Sequence, residues 1–344
     1  MPTLLEQEIL SQPERIAGQL DAELDHIGRI AAALPTCDYA LIAARGSSDR
    51  AAQYAQYAWG ALAGLPVALA APSLYTLYDA PPRLARALVV GVSQSGQSPD
   101  IVAVLEDARR QGRPTLAITN DAGSPLAATA DHVIELHAGP ERSVAATKTY
   151  TAQLAVLAAL AAHWSGQPER LEELRRHPDQ LAAVLAGRAA ISARAGRYRA
   201  MTQCLVIGRG YNYATAYELA LKLEELTYVM AIAYSSADFR HGPIATVAPG
   251  TPAILIAPSG RTLADMRALA GELRRRGAEL LVIADDADML ALARTPLPLV
   301  DGIPEWLSPL AAVLPGQWLA LQLALAKGLD PDAPRGLRKV TRTV

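Results

Sequence analysis

Aromatic residues and cysteines are scarce in this chain, and neither sign of charge dominates. One Phe and four Trp among 344 residues give little support for a surface on which single-stranded nucleic acid could stack. The 32 basic and 34 acidic residues leave a net charge of -2, so no nucleic acid or other polyanionic partner is expected. The two cysteines, Cys37 and Cys204, lack the spacing of metal ligands. We interpret both as small core residues of a protein from a reducing compartment, and we expect neither metal nor cofactor.

Signals for export or membrane insertion are also lacking. Glu6 and Glu8 precede any apolar run, so the N-terminus does not resemble a signal peptide. The longest helical apolar stretch, residues 154–162, is too short to cross a bilayer. The sequence therefore predicts a cytoplasmic protein without a membrane partner. Its length and its 51% of hydrophobic residues favour two domains, each with its own core.

One α/β pattern occurs twice along the chain at a fixed spacing. The segment that begins at Ala40 recurs at Cys204, and the same spacing pairs Leu65 with Val229. Each copy has a short apolar strand, an Arg-Gly turn, a long helix and a second apolar strand, which is the pattern of a parallel βαβ unit. Ligands of such sheets bind at the carboxyl ends of the strands, so the turns there are the candidate sites.

The pattern divides the chain into five predicted segments. They are a helical segment (1–35), a first α/β domain (36–165), a charge-dense helical linker (166–198), a second α/β domain (199–329) and a polar C-terminal tail (330–344). Strands are predicted over 40–44, 67–71, 87–92, 115–119, 132–135, 204–207, 231–234, 253–257 and 280–284. The linker helix is predicted to end at Pro178, and an apolar helix over 309–327 to be interrupted by Pro315. The tail is too polar for a core element, so it either docks or moves freely.

The turn after the third predicted strand carries three serines around one glycine. It reads Ser93-Gln-Ser-Gly-Gln-Ser98, and Ser98 with Pro99 takes the places of an N-cap and a first helical residue. Such a turn directs N–H groups, hydroxyls and the positive end of a helix towards one point, which suits a phosphate dianion. An ordinary capped turn has the same features, so both interpretations stay open. Nucleotide loops are not indicated, because GxxxxGK is absent and the segment 208–213 lacks the third glycine of GxGxxG.

Charged residues share one face of a helix predicted over 213–230. Glu218, Lys222 and Glu225 have the spacing of neighbours on a helix and lie among apolar residues. A surface ladder of ion pairs is one interpretation. The other is that a partly desolvated carboxylate acts here as a general base. The loop that follows contains His241, which is a credible proton carrier.

Six short motifs, taken in order, closely resemble those of the sugar isomerase (SIS) domain family. They are Gly46-Ser-Ser48, Ser93-Gln-Ser-Gly-Gln-Ser98, Glu141-Arg-Ser-Val-Ala-Ala-Thr-Lys148, Leu221-Lys-Leu-Glu-Glu225, His241-Gly-Pro243 and Pro334-Arg-Gly-Leu-Arg-Lys339. The opening Glu8-Ile-Leu-Ser-Gln-Pro13 fits as well, so the resemblance covers nearly the whole chain. It is greatest with the isomerase half of glutamine-fructose-6-phosphate aminotransferases. It implies two tandem SIS domains, each a parallel-sheet αβα sandwich of the flavodoxin-like, three-layer type, followed by the C-terminal tail.

The resemblance also implies a sugar phosphate as ligand and a role for individual residues. The residues implied for the phosphate are Ser93, Gln94, Ser95 and Ser98, and those for the sugar are Ser48 and the main chain of Val144 and Ala145. Glu225 is implied as the base that moves a proton between C1 and C2, with Lys222 beside it. His241, from the neighbouring subunit of a homodimer, is implied in ring opening, and the tail brings Lys339 to the substrate.

The sequence departs from the aminotransferases at several positions. Pro2 rather than a cysteine follows Met1, and no glutaminase segment precedes the first domain, so glutamine is not expected to be the nitrogen donor. Ala146 and Ile232 stand where the aminotransferases usually carry a serine and an acidic residue. The run Ser-Ser-Ala-Asp before His241 and the Lys-Val-Thr of the tail instead resemble the stand-alone, SIS-type glucosamine-6-phosphate deaminases.

The sequence therefore predicts an enzyme that converts glucosamine 6-phosphate to fructose 6-phosphate and ammonia through proton transfer between C1 and C2. Two alternatives are also enzymes: another aldose-ketose isomerase of sugar phosphates, or a deglycase of fructosamine phosphates. A third alternative is a non-catalytic protein that senses a sugar phosphate. The joint presence of Glu225, His241 and Lys339 argues against the sensor.

Overall fold

The computed structural model describes residues 2–339, which divide into two compact units. The first unit comprises residues 14–141, 148–175 and 338–339, and the second comprises residues 2–13, 142–147 and 176–337. Each unit is thus assembled from segments that are distant in sequence. The second unit includes the first helix, α1 (Leu4–Leu10). The five segment boundaries proposed from the sequence stay a prediction.

The first unit contains a five-stranded parallel sheet. Its elements are α2 (Gln12–Ala33), β1 (Tyr39–Ala43), α3 (Gly46–Ala63), β2 (Val67–Leu69), α4 (Ser73–Thr76), β3 (Ala87–Ser93), α5 (Pro99–Arg110), β4 (Thr115–Thr119), α6 (Pro125–Thr129), β5 (His132–Glu135) and α7 (Lys148–Ser165). The strand order is β2-β1-β3-β4-β5. This order is flavodoxin-like, and the chain changes direction across the sheet between β1 and β3.

The second unit repeats this architecture. Its elements are the part of α8 (Pro168–Ala186) from residue 176 onwards, α9 (Arg188–Ala195), β6 (Gln203–Gly208), α10 (Asn212–Thr227), β7 (Met230–Ser235), α11 (Ser236–Arg240), β8 (Pro252–Ile256), α12 (Leu263–Arg275), β9 (Glu279–Ala284), α13 (Ala287–Leu292), β10 (Thr295–Pro298) and α14 (Ser308–Ala326). The sheet is parallel with the order β10-β9-β8-β6-β7. Counted from its own first strand, this is the order of the first sheet. The predicted α/β fold of two similar units is confirmed.

Burial on both faces explains the apolar runs of the central strands. All seven residues of β3 and all five of β4 are buried. Parallel strands covered by helices require such runs. Each fully buried Val, Leu or Ile side chain stabilises the fold by about 1.5–3 kcal/mol. Polar groups are therefore concentrated in the turns that follow the strands.

Three proline-containing elements differ from the sequence prediction. The sequence does not predict β10, because Thr-Pro-Leu-Pro holds two residues that cannot donate to a ladder; β10 lies at the edge of the sheet, where proline is tolerated. Pro178 does not end α8, and Pro315 does not interrupt α14, since both lie inside continuous helices. Most of α14 is buried, and this packing outweighs the roughly 3 kcal/mol that an internal proline removes.

The two cysteines differ in their surroundings. Cys204 is buried in β6, and burial raises the pKa of its thiol to about 12, as expected for a core residue. Cys37 is only partly buried, so its assignment to the core is wrong. Burial still raises the pKa of the Cys37 thiol, which lowers its reactivity.

One helical stretch in the described residues has the length and composition of a membrane span. It covers Glu305–Ala326, which includes α14, and 83% of its most apolar window is buried inside the structure. A core helix passes the same test of length and hydropathy, so this stretch is weak evidence for a membrane. This stretch is not expected from the sequence, because Pro315 is predicted to interrupt the helix. The cytoplasmic location stays a prediction.

Candidate active site

The serine turn after β3, residues 93–98 of the first unit, is built from hydroxyls that accept main-chain hydrogen bonds. Ser93 Oγ accepts from the N–H of Gly96 at 3.1 Å, and Ser95 Oγ accepts from the N–H of Gln97 at 3.3 Å. Because each oxygen already accepts, its own O–H can be donated to a ligand. Gly96 has a φ of +61°, and a Cβ there would lie 2.1 Å from Ser124 Oγ, so this position requires glycine.

The end of the serine turn has the helix geometry that the sequence predicts. Ser98 is the N-cap of α5, and Pro99 is the first residue of that helix. The Ser98 side chain makes no capping hydrogen bond, so its hydroxyl is not used by the helix. The carbonyl of Gln94 accepts from the N–H of Asn120 at 3.1 Å, which ties the turn to the end of β4.

Ser48 lies at the same edge of the first sheet. It is buried in the first turn of α3, and its hydroxyl accepts from Nε2 of Gln153 at 2.9 Å. The strand that precedes it, β1, pairs in parallel with β3. The first unit thus brings Ser48 and the serine turn to the carboxyl ends of neighbouring strands, which is where ligands of such sheets bind.

The second unit holds a counterpart of the serine turn after β8, but there the chain itself supplies an anion. The counterpart reads Ser259-Gly-Arg-Thr262. The N–H of Ser259 donates to Asp285 Oδ1 at 2.7 Å, and the N–H of Thr262 donates to Glu305 Oε1 at 3.3 Å. Gly260 leaves the room for this carboxylate, since a Cβ there would lie 2.3 Å from Glu305 Cδ. In the first unit, neutral side chains pack against Gly96 instead.

Helix α10 carries three charged side chains in a largely buried arrangement. Glu218 is 0% exposed, Lys222 is 1% exposed and Glu225 is 23% exposed. Lys222 Nζ lies 3.6 Å from Glu218 Oε1 and 2.5 Å from Glu225 Oε2. One buried ammonium therefore serves two carboxylates, and the interpretation as a surface ladder is wrong for Glu218 and Lys222. Of the three side chains, only that of Glu225 has appreciable exposure.

His241 is exposed at the end of α11, where its N–H donates to the carbonyl of Asp238 at 3.0 Å. Ser235 begins this short helix by accepting from the N–H of Asp238. His177, in contrast, is fully buried in α8, and burial lowers its pKa to about 4 against the opposing hydrogen bond to Gln180. His177 is therefore neutral at pH 7 and has a structural role. The His241 side chain, in contrast, is exposed and accessible to a ligand.

Segment 142–147 of the second unit is held by the side chain of Glu8, which is 6% exposed. Glu8 Oε1 accepts from the N–H of Arg142 at 2.5 Å, and Oε2 accepts from the N–H of Ser143 at 3.3 Å. Ser143 Oγ in turn donates to the carbonyl of Ala145 at 3.1 Å, which fixes the main chain around Val144. The sequence gives no sign of this role of Glu8, because its partners are far away along the chain.

The C-terminal tail docks in the second unit through two anchors. Asp332 caps α1, since its carboxylate accepts from the N–H groups of Leu4 and Leu5 at 2.8 and 2.9 Å. The N–H of Arg335 donates to the hydroxyl of Tyr228 at 2.7 Å, and the Arg335 guanidinium lies 4.3 Å from the centre of the Tyr228 ring. Docking was one of the two expectations for the tail. Residues 340–344 of the predicted tail lie outside the described residues.

Lys339, which belongs to the first unit, is held by a buried carboxylate. Its Nζ lies 3.1 Å from Oε2 of Glu141, whose side chain is 0% exposed. The same carboxylate accepts from the N–H and the hydroxyl of Thr149 at 3.1 and 2.5 Å. Glu141 therefore fixes the lysine and the start of α7 together.

The sequence profile of the SIS domain matches residues 35–163 and 198–294, which is more than half of the chain. The chain belongs to the SIS domain family. Among SIS proteins, the glutamine-fructose-6-phosphate aminotransferase of Zymomonas mobilis is 36% identical over 97% of this chain and 58% of its own length. The chain thus spans a little over half the length of this and other curated relatives that it matches.

Solved structures of SIS proteins agree with this assignment. A proposed phosphosugar isomerase from Silicibacter pomeroyi DSS-3 is 36% identical and superimposes with a TM-score of 0.83, covering 96% of this chain and 100% of its own. The C-terminal domain of glucosamine-fructose-6-phosphate aminotransferase from Francisella tularensis is 26% identical, with a TM-score of 0.87, covering 97% of this chain and 99% of its own. The SIS family predicted from the motifs is confirmed, while the roles of the individual residues stay predictions.

Proposed function

We propose that this SIS protein converts glucosamine 6-phosphate and water to fructose 6-phosphate and ammonia. The observation that carries the proposal is the arrangement on α10, where Glu225 is reachable beside the fixed ammonium of Lys222. Proton transfer at a carbon next to a carbonyl or imine requires a positioned base and an electrophilic group. The identity of 36% to an aminotransferase named as isomerizing supports this chemistry.

The proposed reaction begins with ring opening, assisted by His241 of the partner subunit in a homodimer. Ionised Glu225 takes the proton from C2 of the open-chain amino sugar, which forms an enolamine, and returns it to C1. Lys222 and Lys339 stabilise the charge that develops on the C1 oxygen. The C1 oxygen gains one proton as the amino nitrogen loses one, so the product of the transfer has a hydroxyl at C1 and an imine at C2. Water adds to this carbon, ammonia leaves, and a ketose 6-phosphate remains.

The test of this proposal is the release of ammonia from the purified chain. We expect ammonia and fructose 6-phosphate to appear in equal amounts from glucosamine 6-phosphate. Fructose 6-phosphate plus glutamine is the comparison assay, and the proposed direction predicts that no glucosamine 6-phosphate forms from it. A ketose formed without ammonia from an aldose phosphate would indicate an isomerase instead. Synthesis that depends on glutamine would contradict the proposed direction.

The serine turn should hold the phosphate of the substrate. We expect Ser95→Ala combined with Ser98→Ala to raise KM for the phosphorylated sugar by about 10-fold or more, because two hydroxyl donors to a dianion are lost. Steady-state kinetics should show little change for a phosphate-free analogue. An equal loss on both ligands would mean that the serines support the fold of the turn and not the phosphate.

A further inference from the structure

A guanidinium lies at the edge of the first sheet that also carries the serine turn. Arg45 follows β1, and two residues beyond the last paired positions of β1 and β3 the chain reaches Arg45 on one side and Ser93 on the other. Nε of Arg45 lies 2.8 Å from Oδ2 of Asp100, in the first turn of α5. Asp100 is 0% exposed, whereas the Arg45 side chain is 48% exposed. A buried carboxylate thus fixes a half-exposed cation beside the serines.

The terminal nitrogens of Arg45 make no hydrogen bond within residues 2–339. In this part of the structure, the hydrogen bond and the ion pair of the Arg45 side chain join its Nε to Asp100. Asp49, the other carboxylate that interacts with this guanidinium, pairs with Arg50 at 3.3 Å. The Nη groups keep the planar donor geometry that matches a phosphate in two parallel hydrogen bonds.

The second unit has a corresponding arginine and turn at the carboxyl ends of its strands. Arg209-Gly210 follows β6 as Arg45-Gly46 follows β1, and the turn 259–262 corresponds to the serine turn. In the second unit, the carboxylate of Glu305 occupies the turn and accepts from the N–H of Thr262. The small-residue turn after the third strand therefore accepts an anion in the second unit, where the chain itself provides a carboxylate.

From these observations we infer that Arg45 is a phosphate-binding residue that acts together with the serine turn. The inference rests on the proposed function and deepens it: the site uses one cation as well as neutral donors, and it selects a dianionic phosphate. Asp100 is the positioning residue, because it orients the guanidinium through Nε and leaves both Nη groups to the ligand. Arg45 is not among the site residues that the family resemblance implies.

Binding measurements test this inference without depending on turnover. The full chain is titrated calorimetrically with fructose 6-phosphate and with inorganic phosphate. We expect Arg45→Gln to lower the affinity for both ligands by about 10-fold or more, and to make the affinity less dependent on salt concentration. Arg45→Lys should recover part of the affinity, since it keeps the charge but loses the planar donors. Arg86→Gln is the matched control. Nε of Arg86 pairs with Asp38 at 3.0 Å, and these residues precede β3 and β1, so they lie at the opposite edge of the same strands.

A second variant distinguishes loss of binding from loss of stability. It is needed because Arg45→Gln removes the ion-pair partner of the buried Asp100. Arg45→Gln combined with Asp100→Asn removes both charges, and it should bind phosphate as weakly as the single variant while melting close to the parent. Affinity within twofold of the parent in both variants would overturn the role of Arg45 while the serine turn and the proposed reaction stand. A parent chain that binds neither ligand would overturn the phosphate site itself, and with it this inference.

Discussion

Glu225→Gln is expected to lower kcat for glucosamine 6-phosphate by about 10²-fold or more while KM changes little. The amide keeps the shape of the side chain but cannot take the proton from C2. Lys222 keeps Glu218 as a partner at 3.6 Å, so its buried ammonium is not left without a counter-charge. Steady-state kinetics, combined with thermal melting to confirm the fold, measures the effect.

Glu224→Gln is the matched control for this substitution. Glu224 is the neighbouring carboxylate on α10, and it is exposed. We expect the turnover of this variant to stay within about twofold of the parent. Surface substitutions of this kind change the free energy of unfolding by less than about 0.5 kcal/mol. Near-normal turnover in Glu225→Gln would end the assignment of Glu225 as the base, whereas equal losses in both variants would point to damage of the helix.

Removal of the residues after Pro334 is expected to abolish activity and to leave both sheets folded. The deletion removes Lys339, which we propose as an electrostatic stabiliser, and the loss of one such donor alone lowers kcat by about 10²–10³-fold. It spares the described core, since the last strand ends at Pro298 and α14 ends at Ala326. It also spares Asp332, so α1 keeps its cap. Turnover and circular dichroism of the truncated chain test the two halves of this expectation.

A point substitution separates the lysine from the rest of the tail. Lys339→Met removes the ammonium that Glu141 holds, and it should reproduce most of the loss caused by the deletion. Arg338→Gln, at the exposed neighbouring position, should change turnover little. Full activity of the truncated chain would require a mechanism in which neither Lys339 nor the docked tail takes part.

Local sequence features predict most of the architecture. The strands of both sheets follow from apolar runs between glycine-containing turns, and the serine turn with its capped helix follows from residue types at adjacent positions. The expectations based on proline are wrong at β10, at Pro178 and at Pro315, where an edge position or the burial of a helix outweighs the local preference. Local pattern therefore identifies elements well and their ends less well.

The contacts that shape the candidate site could not be predicted from the sequence. The carboxylate of Glu8 meets the main chain of Arg142, Asp332 meets the start of α1, and Arg45 meets Asp100. Each of these pairs joins segments that are distant in the chain. A single sequence carries the residue types but not the pairing, which depends on the tertiary structure. The repeat draws attention to Arg45 and the motif comparison to Glu8, but neither pattern predicts the partner of Glu8, Asp332 or Arg45.

The carboxylate of Glu305 over the turn 259–262 limits the number of ligands that the repeated architecture can take. A second phosphate at that turn would have to displace Glu305 from the N–H of Thr262 and would meet the negative charges of Glu305 and Asp285. If the proposed site in the first unit holds the substrate, we therefore expect a binding stoichiometry of one sugar phosphate per chain. The fold is repeated, but the proposed phosphate site is not. In the second unit, the carboxylate of Glu305 already occupies the corresponding turn.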